Sequence, residues 1–155
     1  MLDSKKNDVI LDVGAGTGVI ANEIASICDE VFALEPNNGR VDYIKRKFPQ
    51  VKAFYGVSES IPFPESYFTK IYVISAFHHF SDQNAALFEF NRVLKSNGLL
   101  VIHDSEPAKA GLEARLAKVK FISSEDLREK LEQSAFKVIE TRKGNRGYFV
   151  LSSRS

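Results

Sequence analysis

The 155-residue chain carries 21 Lys and Arg against 20 Asp and Glu, a net charge of +1 that gives no support to a nucleic-acid partner. Its single cysteine, Cys28, excludes an intramolecular disulfide and favours a reducing compartment. No apolar run approaches the ~20 residues of a membrane span, and the charged, polar N-terminus lacks the apolar region of a signal peptide. The expectation is one cytoplasmic domain over residues 1–155, large enough to bury roughly two thirds of its extended-chain surface.

Strand and helix signals alternate along the chain, with no repeat, linker or low-complexity tract. Residues 8–13 (DVILDV) read as a buried strand. Residues 17–28 follow as a helix, with Val19, Ile20, Ile24 and Ile27 at helical spacing and Cys28 packed at its end. A second strand at 30–35 leads to a helix at 38–48 whose apolar face is Val41, Ile44 and Phe48. A third strand spans 51–56, and Pro62 and Pro64 make 58–68 mostly loop. The strongly apolar stretch 69–77 is a fourth strand. A helix at 82–95 is capped by Ser81 or Asp82, then "SNG" punctuates before a fifth strand at 99–104.

Residues 106–119 carry Leu112, Leu116 and Val119 on one stripe and read as a crossover helix, with a lid over the pocket as the alternative. Residues 123–136 open with a capping box, Ser123 to Asp126. Strands at 137–143 and 146–153, separated by Gly144 and Asn145, form a terminal antiparallel hairpin. The expected fold class is α/β: a doubly wound, Rossmann-like, seven-stranded and mostly parallel sheet with helices on both faces.

The stretch "VILDVGAGTGVIANEIA" (9–25) places Gly14, Gly16 and Gly18 just after the first strand. Ligands of such sheets bind outside the carboxyl ends of the strands, and glycines there let backbone approach a ligand closely. A dinucleotide fingerprint counted from Gly14 needs its third glycine at position 19, which is Val19. The spacing therefore fits a pyrophosphate loop poorly, and an NAD-type dehydrogenase with it. Glu35, ending the second strand, can accept hydrogen bonds from both hydroxyls of a ribose, a role that would serve NAD equally well.

"LDVGAGTG", "FALEPN", "SESIPFPESYFTKIYVISAFHHF", "NRVLKSNGLLVI" and the C-terminal "FISSEDLREKLEQSAFKVIETRKGNRGYFVL" follow in order over about residues 8–152. Together they resemble the class I S-adenosylmethionine-dependent methyltransferases, in the small-molecule branch that includes ubiquinone and menaquinone biosynthesis enzymes. The resemblance implies a single minimal domain of that class with S-adenosyl-L-methionine as cofactor and a small-molecule acceptor. It places Gly14, Ala15 and Gly16 in the cofactor loop, Pro36 beside the adenine, and Asp12 against loop amides or the methionine amine. Ser58 would offer its backbone amide to the adenine ring, with Glu59 beside it, and Ser75 would meet the methionine portion through its carbonyl.

Two positions depart from the family pattern. Val57 stands where the family has an aspartate that contacts the adenine amino group, a loss of the order of one hydrogen bond (~1 kcal/mol) unless Ser58 or Glu59 substitutes. Thr69 replaces an aspartate at the amino end of the fourth strand, away from the ligand edge, so a local structural effect is expected.

For catalysis the candidates are His78 and His79, at the carboxyl end of the fourth strand, with His103 a third near the same edge. Imidazole titrates near neutrality and could take a proton from an acceptor hydroxyl or amine; the bland alternative is that one caps a helix and the other packs. Some relatives carry acid-x-x-acid-His here as metal ligands. Ser75-x-x-His78-His79 lacks both acids, and no metal is expected. Family members usually carry a helical segment before the first strand. Here that strand starts by about residue 8, so the pocket would be open, or completed by a second subunit or a larger substrate. The competing reading is a cofactor-binding regulatory or degraded relative without turnover.

Overall fold

The computed structural model describes residues 4–107, 119–145 and 147–155. Strands β1 (Val9–Val13), β2 (Glu30–Glu35), β3 (Lys52–Tyr55), β4 (Phe68–Ile74) and β5 (Leu94–Ser105) run parallel to their neighbours. The hairpin of β6 (Phe136–Lys143) and β7 (Gly147–Arg154) adds to β5 through β7, the one reversed strand of the sheet. The order is β3-β2-β1-β4-β5-β7-β6. It reverses direction between β1 and β4, where a doubly wound sheet opens its ligand crevice. Among the described residues the helices are α1 (Val19–Ala25), α2 (Asn38–Lys47), α3 (Gln83–Val93) and α4 (Ser124–Gln133), and a 3-10 turn spans Phe77–His79.

Side chains alternate across the sheet and sort the apolar strands into two cores. Leu11, Phe32, Leu34, Ile71, Val73, Leu100 and Ile102 pack on one face with α3 and α4. Ile10, Val31, Ala33, Tyr72 and Val101 pack on the other with Ala21, Ile24 and Cys28 and with Val41 and Ile44 of α2. Near-continuous hydrophobic runs in β1, β2 and β4 are thus the mark of strands buried on both sides. Among the described residues no helix is long and apolar enough to cross a membrane.

Capping follows the local chemistry. Asn37 accepts the Arg40 amide at the start of α2. Asp82, of the two candidates, caps α3 by accepting from the amides of Asn84 and Ala85 at 2.9 and 3.0 Å. Ser123 accepts from the Asp126 amide at 3.1 Å.

Two expectations change, and a third lies outside the described residues. The apolar face of α1 is Ala21 and Ile24, whereas Val19 and Ile27 are about half exposed, at 50% and 49%. The helix begins directly out of the glycine turn; Val19 and Ile20 both line the crevice, and Ile20 also packs against the core. The fifth strand starts at Leu94 and runs straight on from α3. Leu94 pairs with Phe68 and Leu99 with Lys70, so the "SNG" segment bulges within the strand, with Asn97 at φ +59°. Of the predicted helix at 106–119, residues 108–118, including Leu112 and Leu116, lie outside the described residues, and so does the lid alternative.

Thr69 bears out its structural role. Its hydroxyl accepts from the Val9 amide at 3.0 Å and lies 2.9 Å from Asp8, whose other oxygen pairs with Lys70 at 2.7 Å. This ties β4 to the entry of β1 at the end of the sheet remote from the crevice.

Candidate active site

A cleft of about 610 Å³ opens at the carboxyl ends of β1, β2 and β4. Of the residues singled out in the sequence, it brings together Gly14, Ala15, Gly16, Glu35, Pro36, Ser58, Glu59, Ser75 and His79. Asp12, His78 and His103 do not line it.

The turn after β1 is held by backbone: the amides of Gly14 and Ala15 both donate to the Leu34 carbonyl, at 2.9 and 3.2 Å. Gly14 and Gly16 have φ of +71° and +58°, where a side chain is strained. They differ in surroundings. A Cβ on Gly14 would lie 2.5 Å from the Cβ of Ala76, so this glycine lets β1 and the end of β4 approach. A Cβ on Gly16 would meet nothing within 4 Å, because Gly16 faces the open cleft with bare backbone.

Glu35, 3% exposed at its side chain, closes the end of β2. Its Oε2 accepts the Gly16 amide at 2.9 Å, and its Oε1 lies 3.5 Å from the Arg40 guanidinium. Each carboxylate oxygen retains accepting capacity for a further donor. Asp12 sits one residue before Val13, which lines the cleft, and is itself buried. Burial pushes its carboxyl up to about 7, against a hydrogen bond from the Ala21 amide and with a smaller push from Glu35. Its Oδ2 is buried without a hydrogen-bond partner among the described residues, an arrangement that costs about 1–3 kcal/mol unless a donor arrives.

The loop after β3 is braced against α3. Ser58 donates to Glu59 Oε2 at 2.8 Å, and Glu59 Oε1 accepts the Asp82 amide at 3.0 Å. Burial opposes ionisation of Glu59, but the Asp82 amide and the Ser58 hydroxyl outweigh it and hold the carboxyl below its usual value. Further along, Glu89 accepts the Ile61 amide at 2.7 Å, and Arg92 donates to the carbonyls of Ile61 and Phe63 at 2.9 and 2.8 Å. The Ser58 hydroxyl proton and one acceptance at each Glu59 oxygen thus brace the loop itself, beside the apolar side chain of Val57.

At the end of β4, Ser75 adopts φ +53° while its amide donates to the His103 carbonyl at 2.8 Å. A non-glycine residue in this region is held there by its surroundings and aims the following turn. The two histidines then diverge. His78 Nδ1 is 2.5 Å from Asp104 Oδ1, its amide donates to Asp104 Oδ2 at 3.0 Å, and its ring stacks on Phe121 at 4.3 Å. His79 faces the cleft, its ring 4.1 Å from that of His78. Desolvation, then the neighbouring His78, lower the His79 pKa, with Asp104 opposing. The exposed His103 side chain plays no part in the cleft.

Sequence reasoning missed Arg40 and Phe80 as lining residues and Asp104 as the anchor of His78. Arg40 had a signal: the first turn of the helix that follows β2 starts at the same sheet edge as Glu35. Asp104 had none, because its partner lies 26 residues away.

A reversed strand order, a glycine turn at the switch point and a buried acid on the adjacent strand define a Rossmann-like domain with its ligand crevice at that switch point. The family model described as "Methyltransferase domain" matches residues 11–102. An O-methyltransferase of Penicillium expansum, cnsE, is 31% identical over 90% of this chain and 55% of its own length. A methyltransferase of Anoxybacillus flavithermus is 28% identical over 87% of this chain and 65% of its own. The solved structure of a SAM-dependent methyltransferase from Aquifex aeolicus superposes with a TM-score of 0.85 at 22% identity, covering 98% of this chain and 85% of that one. The chain belongs to the class I S-adenosylmethionine-dependent methyltransferase family. It spans between half and two thirds of the length of the two curated relatives named.

The family implies S-adenosylmethionine as cofactor, and the cleft fits it on two observations. Gly16 offers bare backbone to the cleft. Asp12 Oδ2, one residue before the cleft-lining Val13, is a buried polar atom without a partner among the described residues.

Proposed function

We propose that this chain binds S-adenosylmethionine in the cleft and catalyses transfer of its methyl group to a small-molecule acceptor. The observation that carries the reading is the joining of the glycine turn to the buried acid of β2, through the Gly16 amide on Glu35, at the mouth of one cleft. When bound, the cofactor supplies an already activated methyl group on a sulfonium. The protein's work is therefore alignment and exclusion of water. Glu35 would hold the ribose hydroxyls, Asp12 the methionine amine directly or through water, and Pro36 and the amide of Ser58 the adenine. The turn of Gly14, Ala15 and Gly16 would follow the amino-acid portion, and the Ser75 carbonyl would meet it from β4. Glu59 would act by fixing the Ser58 loop to α3, not by touching the ligand.

His79 is the proton acceptor of the pair. It lines the cleft, and its depressed pKa leaves it neutral at pH 7, ready to take a proton from an acceptor hydroxyl. His78, committed to Asp104, fixes the turn that presents His79. A hydroxyl acceptor is favoured by the O-methyltransferase relatives. Calorimetry tests the first half: S-adenosylmethionine and its demethylated product should bind in the micromolar range, and absence of binding by both would sink the reading. Radiolabel transfer to a panel of small phenols and alcohols tests the second half, with the His79→Gln variant slowed.

A further inference from the structure

One strongly donating side chain in the cleft has no role so far. Arg40 leaves the first turn of α2 and lines the cleft together with Glu35, Pro36 and Val57. Its side chain is 58% exposed, and its one partner among the described residues is Glu35, at the outer limit of a hydrogen bond, 3.5 Å. A guanidinium carries five N–H donors in a plane, so most of them are unfilled. The neighbouring loop offers the opposite inventory. Val57 is apolar, the Ser58 hydroxyl donates to Glu59, and the Glu59 oxygens accept from Ser58 and the Asp82 amide. The nucleoside end of the cleft therefore presents the unfilled donors of Arg40 beside an apolar Val57, with the Ser58 and Glu59 side chains bonded to each other and to the start of α3.

We propose that Arg40 is a specificity-determining residue for the nucleoside end of the cofactor, donating to acceptor atoms of the base or of the ribose ring. The inference rests on the cofactor reading above. Because Arg40 touches the carboxylate that would hold the ribose hydroxyls, its guanidinium lies within reach of whatever Glu35 binds. Its planar donor array suits a flat ring with nitrogen acceptors better than a lysine would. Glu35 beside it offsets its charge, so a cationic sulfonium is tolerated in the same cleft. In consequence the base is read through its ring acceptors, and its exocyclic amine goes unread at the side chain of position 57.

The test is calorimetry with two probes, S-adenosylhomocysteine and its analogue with unsubstituted purine as the base, which differ only in the exocyclic amine and share N1, N3 and N7 as ring acceptors. The wild type should bind them within about fivefold of each other, since the atoms Arg40 addresses are shared. Arg40→Ala should weaken both by roughly tenfold, the scale of one hydrogen bond to a charged group. Val57→Asp, which restores an acceptor, should create a preference of more than about fivefold for the adenine probe. Circular dichroism would confirm that each variant is folded. Unchanged affinity in Arg40→Ala, or a wild-type preference for adenine above about fivefold, would overturn the inference while leaving the cofactor reading intact. Binding of neither probe by the wild type would overturn both.

Discussion

Asp12→Asn offers the sharpest link between the buried site and a solution measurement. In the unfolded chain this carboxyl ionises freely near the ordinary aspartate value of 3.8, whereas burial in the folded protein raises it to about 7. The sign follows from proton binding: between those values the folded state holds a proton that the unfolded state has lost, so stability falls as pH rises. Each pH unit in that window is worth about 1.4 kcal/mol, and the full penalty, reached above about pH 7, is roughly 4 kcal/mol at most. Asparagine keeps the side-chain oxygen that the Ala21 amide hydrogen-bonds and removes the charge. The variant should therefore match the wild type near pH 4 and melt at higher temperature near pH 8, by up to about 10 °C for a domain of this size. It should lose cofactor affinity at the same time, because the ionised carboxylate is what attracts the methionine amine. Melting curves of the two proteins from pH 4 to pH 8 are the assay. A difference in melting temperature that stays flat across this range would show that Asp12 ionises normally in the fold, and would remove the argument built on its orphaned oxygen.

Glu35→Ala should weaken S-adenosylhomocysteine binding by roughly ten- to a hundredfold, from the loss of hydrogen bonds worth about 1.5–3 kcal/mol each; unaltered binding in calorimetry would refute the ribose role. Gly14→Ala should destabilise the fold by about 1–3 kcal/mol, since its Cβ would lie 2.5 Å from Ala76. Gly16→Ala, with no neighbour within 4 Å, should cost only the backbone strain while weakening cofactor binding, and denaturant melts beside calorimetry separate the two effects. Thr69→Val should cost about 1–2 kcal/mol through the Val9 amide it leaves unpaired, with cofactor affinity unchanged.

Much of this architecture is legible in local pattern. Apolar runs such as Val9–Val13 and Phe68–Ile74 alternate with amphipathic helices because strands between two helical layers must be apolar on both faces. The start of α3 at Asp82 and of α4 at Ser123 could be read from single side chains able to accept backbone amides. The glycine turn and Glu35 were visible because a ligand-facing strand end needs residues without bulk and an acid at fixed spacing. Periodicity alone cannot tell a core from a crevice: on the face read for α1, Ile24 is buried and Ile20 packs against the core, whereas Val19 is exposed where it lines the cleft.

What tertiary structure decided is which polar atoms remain available. Composition and order made His78 and His79 equivalent, and only Asp104, brought across from β5, commits the first and leaves the second facing the cleft. Glu59 gained its bracing partner only in the fold, where the start of α3 delivers the Asp82 amide to it from 23 residues away. Arg40 drew no attention until α2 set it beside Glu35. The physical reason is common to all three. Secondary structure depends on neighbours within a turn or a strand, whereas the free valence of a hydrogen-bonding group depends on every segment that folds against it. The sequence by itself determined the scaffold and the family. The packing of β4, β5, α2 and α3 around one sheet edge decided which side chains can still act there.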